Sequence, residues 1–162
     1  MTPDIVLRPA ATTDRAYILE HCVRSHACTA EAFHAGPHYT PGAWLTFESI
    51  LDRSQCLVAC AAKAPEVILG FAIVEAGKVV HYVFTRQDLR RQGIAKQLLA
   101  PLFDVKGIRF SFLPAHHACI KGRTVVPPKK SGMTPPTLPI PESWTYDPFT
   151  RVFGDYTLRS NV

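Results

Sequence analysis

The sequence contains no run of about 18 apolar residues, so no segment of it is suited to cross a bilayer as a helix. A basic stretch followed by an apolar stretch and a small-residue cleavage site is also missing, which argues against a secretory leader, and the expectation is a cytoplasmic protein with no membrane partner. Cysteines are few and odd in number, five in all, which speaks against a disulfide framework and for reduced thiols. They do not make a metal site either. Cys22-x5-Cys28, with His21 and His26 nearby, lacks a zinc spacing. Cys56 and Cys60 lie in an apolar run, and the adjacent His116 and His117 cannot easily hold one ion, so no metal is expected. Internal repeats are absent, which sets aside solenoids and propellers.

What is present fits one globular domain over residues 1–162, with 47% hydrophobic residues to form its core. The net charge is +5, and cations gather after residue 85: Arg86, Arg90, Arg91, Lys96, Lys106 and Arg109, then Lys121, Arg123, Lys129 and Lys130. An anionic partner follows from that bias. The later group reads first as a solvated loop, with contact to nucleic acid as the other reading.

Along the chain, Ile5 to Arg8 is a short strand stopped by Pro9. Thr12-Thr13-Asp14 caps a helix that turns Ile18, Leu19, Cys22 and Val23 inward. Thr40-Pro41 opens a second helix, with Trp44, Phe47, Ile50 and Leu51 on its inner face. Leu57 to Ala61 and Val67 to Val74 are apolar strands separated by a turn from Lys63 to Glu66. Glu75 to Lys78 closes a hairpin into a third strand, Val79 to Thr85. Ile108 to Leu113 should lie parallel to Val79–Thr85 across a right-handed crossover. From residue 114 the texture changes. Seven of the 14 prolines fall within 127–148, so no helix or central strand can run through that segment, and an irregular tail over 114–162 is expected.

Between the last two strands lies the segment with most chemical content. Val79-Val80-His81-Tyr82-Val83-Phe84-Thr85 reads as a strand, Arg90-Arg91-Gln92-Gly93 as a basic turn, and Ile94-Ala95-Lys96 as the opening of a helix whose inner stripe is Ile94, Leu98, Leu99 and Leu102. Unpaired amides at a helix start, together with the helix dipole, favour an anion, and a glycine lets the chain approach it closely. The spacing therefore predicts a phosphate cradle.

Arg90-x-x-Gly93-x-Ala95 following this strand resembles the signature of the GNAT superfamily of acyl-coenzyme A dependent N-acyltransferases. The resemblance covers roughly residues 5–113, and the chain's later texture is similar to that of small phage-encoded members. It implies a mixed, mostly antiparallel central sheet with flanking helices, the irregular proline-rich segment being a departure at the substrate side. It also implies acetyl-coenzyme A as cofactor and an amine as acceptor. Val83 and Thr85 would then pair their main chain with the pantetheine arm, an amide at Val83 or Phe84 would polarise the thioester carbonyl, and Arg90, Arg91, Gln92, Gly93, Ile94, Ala95 and Lys96 would grip the pyrophosphate. Candidate bases are His81 and Tyr82 on the motif strand and His116 and His117 beyond the next one. Tyr146 and Tyr156 are candidate acids, while His34, His38 and Tyr39 are placed to line an acceptor site. Two other functions share these residues: a binding or structural protein that keeps the fold without turnover, and a nucleic-acid modifying member that uses Lys121, Arg123, Lys129 and Lys130. Acceptor, acyl group and oligomeric state are left open by the sequence.

Overall fold

The computed structural model describes residues 4–26, 39–111 and 145–146. Its frame is a six-stranded sheet in chain order: β1 (Ile5–Pro9), β2 (Gln55–Ala61), β3 (Ala64–Glu75), β4 (Val79–Thr85), β5 (Arg109–Phe110) and β6 (Thr145–Tyr146). The first four strands pair antiparallel, and β4–β5 and β5–β6 pair parallel. The mixed, mostly antiparallel sheet expected from the sequence is therefore present, and its flanking helices are α1 (Arg15–His26), α2 (Tyr39–Arg53) and α3 (Ile94–Leu99).

Two cores form, one on each face of the sheet. On one face Ala59, Leu69, Ala72 and Val80 meet Ile94, Leu98, Leu99 and Leu102 of α3 and the turn after it. On the other, Val58, Cys60, Ile68, Phe71 and Ile73 meet Ile18, Leu19, Cys22 and Val23 of α1 and Phe47 and Ile50 of α2. All four α1 residues and all four residues of the α3 stripe named from periodicity are buried. Trp44 is not. It stays 38% exposed because the inner stripe of α2 runs through Ala43, Phe47, Ile50 and Leu51, which leaves Trp44 at the margin. The helix also begins at Tyr39, two residues before Pro41, and the β2–β3 turn is confined to Ala62 and Lys63, tighter than the Lys63–Glu66 turn expected.

The corner between β1 and α1 is pinned by Asp14, whose carboxylate accepts from the Ala11 amide (2.7 Å) and from Arg8 (2.6 and 3.2 Å). That arginine holds the Asp14 carboxyl below its ordinary range. The β3–β4 hairpin turns through Ala76 (φ 50°) and Gly77 (φ 65°), consecutive left-handed residues whose twist matches that of the strands. β5 is short, and β6 falls inside the segment whose prolines argued against a central strand. Thr145–Tyr146 escapes that rule by being only two residues long and, among the described residues, the last strand of the sheet.

Gly70 sets how closely α3 sits on the sheet. A Cβ there would stand 2.6 Å from the Phe84 carbonyl oxygen and 3.0 Å from Ile94 Cγ2. The first neighbour is backbone and cannot step aside. Gly70→Ala should lower stability by about 1 to 3 kcal/mol, the range for overpacking a filled core, measured as a fall in the urea midpoint with unchanged slope. An unchanged midpoint would mean that α3 is not held at this contact.

Candidate functional site: a cradle at the open end of the sheet

β4 is paired on both sides only at its start. Val79 and Val80 match Arg109 and Phe110 of β5, and the Ser111 amide donates to the Val80 carbonyl (3.2 Å). From His81 onward, no described residue pairs with that edge of β4. A strand edge can offer main-chain amides and carbonyls to an extended partner.

The pairing ends at a bulge. Ile73 opposes Tyr82 and Val74 opposes Val80, so His81 is the extra residue. The insertion changes the alternation of faces: Val80 and Val83 lie on the α3 side, Tyr82 and Phe84 on the side of α1 and α2. His81 itself goes into the interior, 2% exposed, with Nε2 2.9 Å from Glu75 Oε2 and Nδ1 2.8 Å from Ser111 Oγ. Glu75 Oε2 also accepts from Arg53 Nε at 2.9 Å. Both imidazole nitrogens are thus engaged in a buried network, and the geometry gives His81 a structural place in preference to the base role considered from sequence.

Past β4 the Arg86 amide still donates to the Leu69 carbonyl (2.9 Å), and the chain then makes a 3-10 turn over Gln87–Leu89. Arg91 (φ 68°) and Gly93 (φ 81°, ψ 3°) are both left-handed, and Gly93 is the N-cap of α3. The first intrahelical bond runs from Gln97 N–H to the Gly93 carbonyl, so the amides of Ile94, Ala95 and Lys96 have no acceptor within the helix. A Cβ on Gly93 would meet nothing within 4 Å, which means that the space above the loop is open. Arg90, Arg91 and Lys96 stand exposed around it. Two oxygens nearby in the chain are buried without a hydrogen-bond partner, Thr85 Oγ1 at the end of β4 and Gln92 Oε1 in the loop. Buried polar atoms in native proteins are nearly always paired, with protein, water or ligand. The cradle residues picked from sequence, Val83 to Thr85 and Arg90 to Lys96, are therefore brought to one end of one strand.

The α1 side of β4 carries His21, which the sequence offers only beside a cysteine pair that lacks a zinc spacing. Tyr17, His21 and Ser25 recur every four residues on α1. His21 Nε2 lies 2.9 Å from the Tyr17 hydroxyl, its ring centroid is 4.3 Å from that of Tyr17 and 4.4 Å from that of Phe84. Tyr82 stacks on Phe71 (5.6 Å) and donates its hydroxyl hydrogen to Ser25 Oγ. Burial pushes the Tyr82 phenol up to about 12, so at neutral pH it is a hydrogen donor and not a base. Burial lowers His21 below the usual imidazole value, and raises Tyr17. The four-residue spacing was the only signal in the sequence; nothing in it told which strand the stripe would face. His34, His38, His116, His117 and Tyr156 lie outside the described residues, and of Tyr39 and Tyr146 only the backbone is described, opening α2 and lying in β6.

Fold and site together describe a mixed sheet in which a left-handed glycine loop opens a helix beside a strand edge that no described residue covers. No protein-family model and no curated protein matches the sequence. Solved structures similar to this chain include the GCN5-related N-acetyltransferase (Aminotransferase, Class-II) of Rhodopseudomonas palustris, 20% identical over 63% of this chain and 64% of that one, with a TM-score of 0.45. Apo-form YjaB of Escherichia coli is 18% identical over 62% of this chain and 65% of that one, with a TM-score of 0.46. The aminoglycoside N-acetyltransferase AAC(6')-Iy in complex with CoA is 22% identical over 63% of this chain and 68% of that one, with a TM-score of 0.38. The matched part of this chain spans less than two thirds of the first two.

Proposed function

We propose that the chain is a GNAT-type acyl-coenzyme A dependent N-acyltransferase, a single domain over residues 1–162 that moves an acetyl group from acetyl-coenzyme A to a primary amine. The observation that carries this reading is the left-handed turn at Gly93, which sets the amides of Ile94, Ala95 and Lys96, unbonded within the helix, close in the chain to an edge of β4 that no described residue covers. A group with phosphates at one end and amide-bearing links along its length suits both halves of that arrangement. Ile94, Ala95 and Lys96 would hold the pyrophosphate through their amides, with Arg90 and Arg91 adding charge and Gly93 leaving the approach open. Val83 and Phe84 offer main-chain partners along the edge. When bound, acetyl-coenzyme A supplies the activated thioester.

The chain's own groups must then orient the amine, take its proton and keep water away. Tyr82 is a hydroxyl donor on the α1 side of the opening, and Phe71 and Phe84 make that side apolar. His116 and His117 follow β5 in the chain and are the base candidates offered by the sequence, with Tyr146 and Tyr156 as acids and His34, His38 and Tyr39 toward the acceptor.

Calorimetry with acetyl-coenzyme A is the direct test. One site per chain is expected, with a dissociation constant below about 1 mM, the upper end of ordinary substrate affinities. No heat of binding at millimolar ligand would overturn the reading. Binding without thiol release in the presence of amines, peptides or DNA would favour a protein that holds the coenzyme without turnover. DNA-stimulated release that falls steeply with salt would point to a nucleic-acid acceptor.

A further inference from the structure

The stripe of α1 that faces β4 holds an acid–base pair that the cradle does not use. His21 is half enclosed, between the Tyr17 ring and the Phe84 ring, and its Nε2 meets the Tyr17 hydroxyl at 2.9 Å. Among the described residues its Nδ1 has no hydrogen-bond partner. Phe84 belongs to the part of β4 whose outer edge is covered by no described residue, and the bulge at His81 is what turns the Phe84 ring to this side of the sheet. The cradle at Gly93 opens the helix packed on the opposite side. A ligand gripped at Gly93 and laid back along the edge toward the bulge therefore passes Phe84, and His21 stands over that residue.

We infer that His21 is the general base of the acyl transfer, with Nδ1 directed at the incoming amine and Tyr17 as the residue that orients the ring. This rests on the coenzyme A reading given above. The neutral amine nitrogen bonds to the thioester carbonyl carbon and, as that bond forms, gives one proton to His21 Nδ1, while Nε2–H donates to the Tyr17 oxygen; the carbon–sulfur bond breaks, and the electron pair leaves on sulfur. The imidazolium returns its proton to that sulfur, so the products are an amide and a thiol, and His21 is neutral again. His21 is well suited to this because its surroundings favour the neutral ring, the form that accepts a proton. Burial works against the imidazolium, Arg24 adds to that, and Glu20 opposes it, while Tyr17 and, near Tyr17, Arg86 complete the charged and titratable surroundings described. Glu20 and Arg24 also pair with each other at 3.2 Å, and Arg86 pairs with Asp88 at 3.0 Å, so none of these cations stands alone over the ring.

Bromoacetyl-coenzyme A tests this without knowledge of the acceptor. It places an alkylating carbon where the acyl group would be; a lone pair on nitrogen attacks that carbon and bromide leaves. Peptide mapping by mass spectrometry should find the carboxymethyl-type adduct on His21, suppressed by excess coenzyme A and absent from His21→Gln. The labelling rate should rise with pH through a midpoint below the ordinary imidazole value and be flat above neutrality. Tyr17→Phe should still label His21 but with a shifted midpoint, which a purely structural tyrosine would not cause. Circular dichroism checks that His21→Gln is folded, and His21→Asn serves if it is not. Coenzyme-protected labelling at His116, His117 or any other residue would overturn the assignment of His21 and leave the coenzyme reading standing. Labelling that coenzyme A does not suppress, together with no calorimetric binding, would overturn both.

Discussion

Gly93→Asp should remove coenzyme A binding, with a loss of at least about 100-fold in affinity, because it places a carboxylate where the phosphates would sit and like charges in contact cost several kcal/mol. From the sequence, Gly93 is expected because a side chain would stand where the anion approaches. The structure refines it: a Cβ at Gly93 meets open space, so what the position demands of the protein alone is its left-handed backbone, φ 81°. A non-glycine residue there costs roughly 1 kcal/mol in stability, whatever its side chain. Gly93→Ala therefore separates the two contributions. It should share the small stability loss of Gly93→Asp, while losing much less affinity, since it adds a methyl group and no charge. Calorimetry with acetyl-coenzyme A and a thermal melt on each variant give the four numbers needed. Equal affinity of wild type and Gly93→Asp would remove the cradle from this loop.

Much of this site was legible before the fold was known, and the reason is that its parts are local. Ile94, Leu98, Leu99 and Leu102 repeat at helical spacing, Val79 to Thr85 is an apolar strand, and the turn between carries its glycine at the one position with a left-handed cap. The parts that were not legible depend on contacts across the chain. Gly70 stands inside the apolar run Val67 to Val74, and only the approach of Phe84 and Ile94 shows why no side chain fits there. The bulge at His81 is a one-residue difference in register between β3 and β4, and it decides which faces Tyr82, Val83 and Phe84 occupy. Without it, strict alternation would put Val80 and Tyr82 on the same face. His21 was visible as a histidine on a helix, but its partner Phe84 is on a strand 63 positions later in the chain. Thr145–Tyr146 could not be read as a strand because pairing with Arg109–Phe110 is specified by nothing in its own neighbourhood.

The bulge also explains the second large effect expected. Glu75→Leu should lower stability by about 3 to 5 kcal/mol, the cost of removing one partner from a buried charged network. Glu75 is 8% exposed at the end of β3, and its Oε2 is shared by Arg53 from α2 and His81 from the bulge. His81 in turn reaches Ser111, the residue directly after β5. One carboxylate thus ties a helix, the bulge and the parallel strand together at the point where β4 and β5 cease to pair. Its replacement takes this acceptor from a buried imidazole and from a guanidinium that is 24% exposed. The arginine can turn toward solvent; the imidazole cannot. A second change, His81→Leu on the Glu75→Leu background, should therefore recover part of the loss, since replacing both members of a buried polar pair by apolar groups is far less costly than removing one. The two single variants and the double variant form a cycle, and urea denaturation of each gives the coupling. Additive losses would mean that the pair does not act as a unit. Coenzyme A affinity of the folded double variant then reads the role of the network directly: if the network holds the strands apart at the right separation, affinity falls even where stability has returned.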